Sequence, residues 1–443
     1  MSNQNPNATE HSTSVEFKSV QINSENFPFP IDVVDIVTNI DIYEHLDKPY
    51  LTAAISVTDS TDIVAGANIS GGETVTIKLQ STRKSSVPIE KTFRIAKITT
   101  SQKTSSNVEF YVFHLIEDIA FQSSLKNVNQ SYTGSPHDII TKISEGFLDG
   151  KKVLKRGASA QNMKVIIPNL APLESMSWIK NRSCTEDGYP FYLTSTLVND
   201  ELSFIDLESL LNDNTMTEIP YTYGGDILNN TDPIDTRNRR VILQYKMSDT
   251  DNLVSMIEKG LVGATYQFIN PTKGTKNTEF KFDIKEDVMK KLIKDFDVDK
   301  DKAPYPDKSP YNKEKSRVIA RAGSTNPYEA PIQSYLESKD EDVGEYKRNI
   351  ISDSVSALLK KNPMTIIVNG IDFLDGDSHK TIGKKIDIRF ARNMSPQSTN
   401  YHFDNKKSGA FLIYSSKHSF APNEYVLALT CVKIDNNGVA NDG

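Results

Sequence analysis

A run of alternating aspartates is the part of this sequence whose residue types and spacing come closest to a metal site. The segment "DFDVDKDK" carries four of them, at Asp295, Asp297, Asp299 and Asp301. Carboxylates at alternate positions resemble the ligands of a calcium loop. An EF-hand loop begun at the first aspartate also requires glycine and glutamate further along, but Lys300 and Pro306 stand at those two positions. The pattern therefore favours a solvated, charged loop over a calcium site.

A second acidic group lies in "DFLDGDSH" and comprises Asp372, Asp375, Asp377 and His379. Aspartate and glycine favour turns, and one histidine among loop aspartates is a weak metal signal. We expect a hairpin loop here and no metal site.

Two further features of the middle region allow a catalytic or binding interpretation. Glu174, Glu186 and Asp187 are carboxylates that a glycosidase could use as its acid pair, although exposed helix and loop positions need no such role. Trp178 and the tyrosines of "YPFYL" could form a carbohydrate platform, but packing of a helix onto a hairpin explains them with fewer assumptions.

The usual catalytic motifs are missing from the sequence. There is no GxSxG elbow, no Walker loop and no GxGxxG, and neither cysteine, Cys184 or Cys431, has a catalytic context. The seven histidines form no HExxH or HxH cluster: His11, His45, His114, His137, His379, His402 and His418. His114 and His418 fall in predicted strands and are expected to be structural. We predict no enzymatic activity, no cofactor, no metal and no catalytic residue.

Composition narrows the class of protein. The chain has 443 residues, 37% of them hydrophobic, which is enough for about three domains at ~150 residues each. Its net charge of −7 disfavours specific binding to a phosphate backbone. The N-terminus "MSNQNPNATEHSTS" is polar, and no segment approaches the ~18 apolar residues of a membrane span, so we expect a soluble chain without a signal peptide.

Hydrophobic periodicity divides the sequence into three regions. Alternation in "YLTAAISVTD" and "GETVTIKL" predicts an antiparallel β region near the N-terminus. The middle region mixes helices and strands. "SPHDIITKISEGF" predicts a helix capped by Ser135, with Pro136 and Asp138 in its first turn. "APLESMSWIKNRSCTEDG" predicts a second helix stopped by Gly188. The last region, with "MTIIVNGIDF", "GKKIDIRF", "GAFLIYSSKHSF" and "EYVLALTCVKI", is β again after a helix ended by Pro363.

The first and last regions repeat each other. "GETVTIKL" and "GKKIDIRF" share a glycine, two polar residues and an apolar residue at every second position. The following strands match in order, which we align as Phe93 with Phe411, Ile95 with Ile413, Glu109 with Glu424, Phe110 with Tyr425, and Val112 with Leu427. A genuine repeat is favoured, although strand-rich segments of similar composition can imitate one another.

Both faces of one predicted strand in each of the two β regions are apolar. In "EFYVFHLI" and "EYVLALTCV" neither alternate set is polar, whereas a half-exposed sheet would alternate. We therefore expect these strands to be covered twice, once by their own core and once by the helical region or another subunit.

This arrangement resembles the baseplate hub protein of contractile-tailed bacteriophages, which is related to the N-terminal half of the type VI secretion protein VgrG. The matching segments are the first β region around 72–116, the helix and hairpin in "PLESMSWIKNRSCTEDGYPFYL…ELSFIDL", and the terminal run from "LLKKNPMTIIVNGIDF" to "EYVLAL". They cover roughly two thirds of the chain in order. The polar N-terminal extension and the charged stretch 295–317 depart from the pattern.

The resemblance implies a fold and a division of the chain. The fold class is α+β and β-rich, with two similar tube-like antiparallel β-barrels flanking inserted mixed α/β regions. The expected parts are a flexible extension 1–25, a first barrel 26–125, an inserted α+β domain 126–215, a mixed region 216–345 with the linker 295–317, a helix and second barrel 346–436, and a flexible tail 437–443. The predicted barrel and interface strands carry Val75, Ile77, Leu79, Phe110, Val112, Ile386, Ile388, Phe390, Tyr425 and Leu427.

The resemblance also implies a function. Three copies would form a ring with pseudo-sixfold symmetry that joins the hexameric tail tube to the trimeric central spike, contacts other baseplate or wedge proteins, and lets DNA pass without specific binding. The protein would lie in the virion tail baseplate after assembly in the host cytoplasm, with no membrane anchor. The alternative is a soluble α+β protein that binds or hydrolyses peptidoglycan at a site in the middle region.

Overall fold

The computed structural model describes residues 15–25, 27–81, 88–105, 108–160, 162–213, 220–223, 240–247, 253–270, 274–292, 318–322, 344–360, 363–374, 381–391, 403–404, 407–422 and 424–435. The strands are β1 Val15–Asn23, β2 Ile31–Asp32, β3 Val37–His45, β4 Thr52–Asp59, β5 Thr74–Ser81, β6 Ile89–Ser105, β7 Val108–Glu117, β8 Ser131–Gly134, β9 Val153–Arg156, β10 Met163–Ile166, β11 Phe191–Ser195, β12 Leu202–Asp206, β13 Tyr221–Tyr223, β14 Ile242–Met247, β15 Gly263–Asn270, β16 Gly274–Asp283, β17 Val318–Ala322, β18 Met364–Asn369, β19 Lys385–Phe390, β20 Gly409–Ala421 and β21 Glu424–Asp435.

The helices are shorter and lie mostly between the two β regions. They are α1 Ile63–Gly66, α2 Asp118–Ser124, α3 Pro136–Phe147, α4 Pro172–Lys180, α5 Leu207–Asn212, α6 Leu253–Glu258 and α7 Gly344–Leu359, with 3-10 turns at Val34–Ile36 and Ile371–Phe373 and a π-helix at Lys285–Met289. The predicted linker 295–317 and tail 437–443 lie outside the described residues.

One large sheet contains both the first and the last described strand, β1 and β21. Its thirteen strands run β14-β18-β21-β20-β3-β4-β7-β6-β5-β1-β2, with β19 beside β20 and β13 beside β19. Two sets of five strands within it have the same order: β5-β6-β7-β4-β3 from the first region and β19-β20-β21-β18-β14 from the last. All pairings inside both sets are antiparallel.

The pairing registers of the two sets also agree. Val75 lies opposite Phe93, and Ile386 lies opposite Phe411. A bulge follows at the same point of the next strand in each set, after Ile95 in β6 and after Ile413 in β20. A second shared bulge follows Val37 in β3 and Ile242 in β14. A bulge disrupts the ladder locally, so matching bulges are hard to explain by similar composition alone.

The alignment predicted for the third strand is wrong by one residue. Ile95 pairs with Leu115, and its counterpart Ile413 pairs with Cys431. Counting back along both strands places Tyr111, not the predicted Val112, at the position equivalent to Leu427. Both faces of these strands are apolar, so the alternation in the sequence does not distinguish the two alignments.

The two ends of each set approach each other. An isolated parallel bridge joins Thr222, in the middle of β13, to Val241, the residue before β14. In the first set β2 pairs with β1, and the chain then passes through one 3-10 turn into β3. Within the part of the chain that the structure describes, no continuous strand pairing closes either set, so the two barrels remain a prediction.

The predicted N-terminal extension is wrong for residues 15–23. These residues form β1, which pairs along β5 from Val15–Ser81 to Asn23–Thr74. Val20 and Ile22 are buried in the core of the first set, because alternate positions of the strand are apolar. Residues 1–14 lie outside the described part of the chain.

The segment between the two sets folds as the helix signals predict, with one exception. Ser135 caps α3 in a capping box with Asp138, and Pro136 is the first helical residue. Helix α4 ends at Lys180, however, well before Gly188. Gly188 serves a later turn with φ +83°, where an added Cβ would lie 2.7 Å from the Ile351 side chain.

The buried hydrophobic side chains form three clusters. One lies within the first set of strands, and one packs α3 and α4 onto β11 and β12. The third joins the second set to α7, to the hairpin β15–β16 and to the π-helix. The α+β, β-rich class is confirmed, while the predicted domain boundaries stay predictions.

Candidate functional site

The junction between the two strand sets contains several buried polar side chains. The second half of β20 leaves β19 and pairs with β3, from Ser415–His45 to Phe420–Ile40. This pairing makes the two sets continuous, although β3 and β20 come from opposite ends of the sequence.

A buried carboxylate organises this junction. Glu44 Oε2 lies 2.8 Å from His418 Nε2 and accepts a hydrogen bond of 2.9 Å from the Ser416 hydroxyl. Its Oε1 accepts the Leu197 backbone N–H at 2.6 Å. His418 Nδ1 in turn lies 2.7 Å from the Tyr425 hydroxyl. The cluster therefore binds β3, β20, β21 and the segment after β11 together.

The electrostatics of the cluster favour the charged carboxylate. Burial alone raises the pKa of Glu44, but the charge of His418 and the hydrogen bonds from His418, Leu197 and Ser416 outweigh it, so the pKa is lowered. Burial raises the pKa of the Tyr425 hydroxyl well above its ordinary value.

A hydroxyl, an imidazole and a carboxylate in line could in principle activate a nucleophile. Here the exposed fractions are 0% for Tyr425, 1% for His418 and 2% for Glu44, so no substrate reaches the hydroxyl. The Tyr425 ring also stacks on Phe420 at 4.5 Å between centroids. The arrangement is structural, in agreement with the expectation for His418.

A second set of polar contacts attaches the helical segment to the first strand set. Glu117 accepts hydrogen bonds from the Leu51 N–H at 2.9 Å and the Ser195 hydroxyl at 3.0 Å. Lys91 donates to the Asn199 carbonyl at 2.8 Å. Lys180 pairs with Asp47 across the same boundary.

The predicted interface residues fall on two different faces. Eight are buried core residues: Val75, Ile77 and Leu79 of β5, Ile386, Ile388 and Phe390 of β19, and Tyr425 and Leu427 of β21. Phe110 and Val112 lie on the opposite face of β7 from the buried Tyr111 and Phe113, and they are only partly buried. These two are the only members of the predicted set that could meet another subunit without unfolding this one.

We expected the outer faces of β7 and β21 to be covered by the helical region or by another subunit. The described residues of this chain do not fully cover them. Five residues on these faces are partly exposed: Phe110, Val112 and Ile116 of β7, and Val426 and Ala428 of β21. His114, predicted to be a satisfied structural residue, is exposed on that same face of β7.

Two of the three carboxylates considered for glycosidase chemistry are held in ion pairs. Glu174 lies in the first turn of α4, Glu186 pairs with Arg348 at 3.2 Å, and Asp187 pairs with Lys291. Trp178 packs against the helical cluster, and the Arg182 guanidinium covers its ring at 3.8 Å. Stacking by Arg182 leaves that face of the indole unavailable to a sugar.

The two acidic groups of the sequence can be placed only in part. Asp372 pairs with Arg240 at 3.3 Å, whereas Asp375, Asp377, His379 and the aspartates of 295–301 lie outside the described residues. Across the described ranges, no three His, Cys, Asp or Glu side chains come together as metal ligands would. None of the helices in those ranges is both long and apolar enough to span a membrane.

Sequence reasoning missed Glu44, although a signal was present. In "IDIYEHL" it occupies the inward position that follows Ile40 and Ile42 in β3. A single acid in the apolar series of a strand indicates a buried partner, and the sequence alone does not identify that partner as His418.

Comparison with known structures agrees with the expected fold. The chain matches a tail protein from Neisseria meningitidis MC58 with a TM-score of 0.51 at 11% identity, over 96% of this chain and 98% of that chain. It matches the 43 kDa tail protein of prophage MuSo2 from Shewanella oneidensis with a TM-score of 0.51 at 10% identity, over 94% and 98%. A type VI secretion component of E. coli gives a TM-score of 0.44 at 11% identity, over 94% and 77%, which is too low to carry an argument.

No protein family profile matches the sequence, and no curated protein matches it. The conclusion from these comparisons is that the chain has the fold of tail proteins, one of them from a prophage.

Proposed function

We propose that this chain is a structural hub protein of a contractile phage tail. Three copies form a ring in which the two strand sets of each chain supply six similar positions. The ring connects the sixfold tail tube to the threefold central spike, contacts other baseplate proteins and lets DNA pass. The protein acts in the virion tail after assembly in the host cytoplasm, without enzymatic activity or cofactor.

One observation carries this proposal: the two strand sets share strand order, pairing register and two bulges within a single chain. A chain that presents the same unit twice produces six nearly equivalent positions from three copies, while the remaining segments stay threefold. The tail-protein fold of the two structural neighbours supports the same setting. The net charge of −7 is compatible with a lumen that repels DNA phosphates.

Light scattering after size-exclusion chromatography, followed by electron microscopy of the purified protein, tests the proposal. We expect a particle of three chains whose end view has six similar lobes, and we expect it to stack on rings of a tail tube protein. A monomer at every concentration, with or without the tube protein, contradicts the proposal. Cleavage of peptidoglycan by that monomer would favour the hydrolase alternative.

A further inference from the structure

The turn 45–48, which follows β3, is a point of attachment for the helical segment that runs from α2 to α5. The Thr194 hydroxyl of β11 donates to the His45 carbonyl at 3.1 Å. The Lys180 ammonium at the end of α4 pairs with the Asp47 carboxylate. Lys180 is buried, so its ion pair depends on Asp47 staying in place. The conformation of this turn therefore decides how firmly α4 and β11 are held.

The His45 imidazole fixes that conformation. The Asp47 backbone N–H donates to His45 Nδ1 at 3.0 Å. A ring nitrogen accepts a hydrogen bond only while it carries no proton, so this contact requires the neutral imidazole. In the imidazolium both ring nitrogens are donors, and Nδ1–H would face the Asp47 N–H. Protonation of His45 therefore removes the bond that positions Asp47 for Lys180.

Two cations and two tyrosines from the neighbouring elements surround this ring. The Tyr414 ring of β20 meets the His45 ring edge-on, with 4.9 Å between centroids, and contacts Tyr192 of β11 at 6.3 Å. The Lys360 ammonium, just after α7, lies 5.0 Å from the centre of the Tyr414 ring. Lys180 approaches from α4. Burial raises the pKa of both tyrosines, so they stay neutral and do not offset the lysines.

These surroundings oppose a positive charge on His45. Burial lowers the pKa of His45 below its ordinary value of 6.5, and Lys48, Lys360 and Lys180 lower it further. Asp47 acts in the opposite direction without reversing the shift. The open form of the turn, in which the ring meets water, accepts a proton more readily than the closed form. The closed form therefore loses stability as the pH falls through 6.5, and the loss is complete below the lower folded value.

We propose that His45 is a pH-sensitive latch, whose neutral imidazole holds α4 and β11 on the turn 45–48 and whose protonation opens this contact in mildly acidic solution. Histidine is the side chain whose ordinary titration range makes such a response available between pH 5 and 8. The opening is local, because the helical segment keeps its own buried cluster around α3 and α4. This inference goes beyond the proposed hub function and does not depend on it.

Amide hydrogen exchange at pH 7.5 and pH 5.5 tests the latch, with each rate divided by the intrinsic rate at that pH. In the wild-type protein we expect protection in the turn 45–48, in α4 and in β11 to fall severalfold at the lower pH and to recover when the pH is restored. Helix α3 is the internal reference, because its buried face lies inside the helical cluster and should stay protected.

Three variants identify the responding group. His45→Asn retains an acceptor oxygen close to the position of Nδ1 and cannot titrate, so it should keep the contact at pH 7.5 and abolish the acid response. Lys360→Gln removes one opposing cation and should weaken the response. His114→Asn replaces an exposed histidine of β7 and is the matched control, which should respond as the wild type does.

The outcomes decide the proposal. Protection at α4 and β11 that is the same at both pH values in the wild type overturns it. An equal loss of protection in the wild type and in His45→Asn assigns the response to another group and also overturns it. If His45→Asn does not fold, Lys360→Gln decides, since an acid response as large as that of the wild type contradicts the electrostatic argument. None of these results affects the hub proposal, which depends on the mass and symmetry of the assembled particle.

Discussion

The buried Glu44–His418 pair permits a quantitative prediction about the junction. In Glu44→Leu, three donors lose their acceptor: the His418 imidazole at 2.8 Å, the Ser416 hydroxyl at 2.9 Å and the Leu197 N–H at 2.6 Å. Removing one partner of a buried pair typically costs about 3–5 kcal/mol, because the other partner remains buried and unpaired. We expect a loss of this size in the free energy of opening the β3–β20 junction.

The double variant supplies the decisive comparison. His418→Leu removes the imidazole that Glu44→Leu leaves unpaired, so the double variant should be more stable than the sum of the two single losses predicts. For side chains in direct contact we expect a coupling of about 0.5–3 kcal/mol.

Amide hydrogen exchange is the suitable assay, since a chain of 443 residues with three hydrophobic clusters need not unfold in one step. Exchange at 415–420 reports opening of the junction, and exchange at β11 and β12 serves as an internal reference. Glu16→Gln is the control, because Glu16 pairs with Lys18 in an exposed position, with side-chain exposures of 58% and 44%. Unchanged exchange at 415–420 in Glu44→Leu, or strictly additive losses in the double variant, would refute the reasoning.

Three further predictions concern pH, backbone space and the core. Because the pKa of Glu44 is lowered in the folded protein, its charge contributes stability above the ordinary value of 4.5, and this stability is lost as the pH falls through the lower folded value. Amide exchange at the junction should therefore accelerate below about pH 4.5 in the wild type, and less in Glu44→Leu. Equal acceleration in both proteins would contradict this. In Gly370→Ala the new Cβ would lie 2.3 Å from the Tyr425 ring, so the melting temperature should fall by the equivalent of about 1–3 kcal/mol. In Gly146→Ala, in α3, the new Cβ has no atom within 4 Å, so the melting temperature should rise or stay unchanged. Similar shifts in both variants would contradict the packing argument. Ile388→Asp places a carboxylate at a position with 0% exposure and should prevent both folding of the second strand set and ring formation. Asp387→Asn, at the neighbouring and partly exposed position, should preserve both, and circular dichroism and light scattering measure the difference. A normal ring from Ile388→Asp would disprove the assignment of that face.

Much of the local structure was predictable because it depends on neighbours in sequence. Alternation places Val75, Ile77 and Leu79 on one side of β5, and Ser135, Pro136 and Asp138 are sufficient to start α3. The repeat was detectable because each copy needs the same inward residues. Its third strand was misaligned because strands that are apolar on both faces carry no alternation to fix their register.

The sequence by itself determined the β-rich class, the repeated pattern and the first turns of the helices, since these follow from short-range periodicity and capping. Only the tertiary structure decided that β3 pairs with β20 and that Glu44 meets His418. The physical reason is that strand pairing and burial join residues hundreds of positions apart, and backbone hydrogen bonds between strands carry almost no sequence signature.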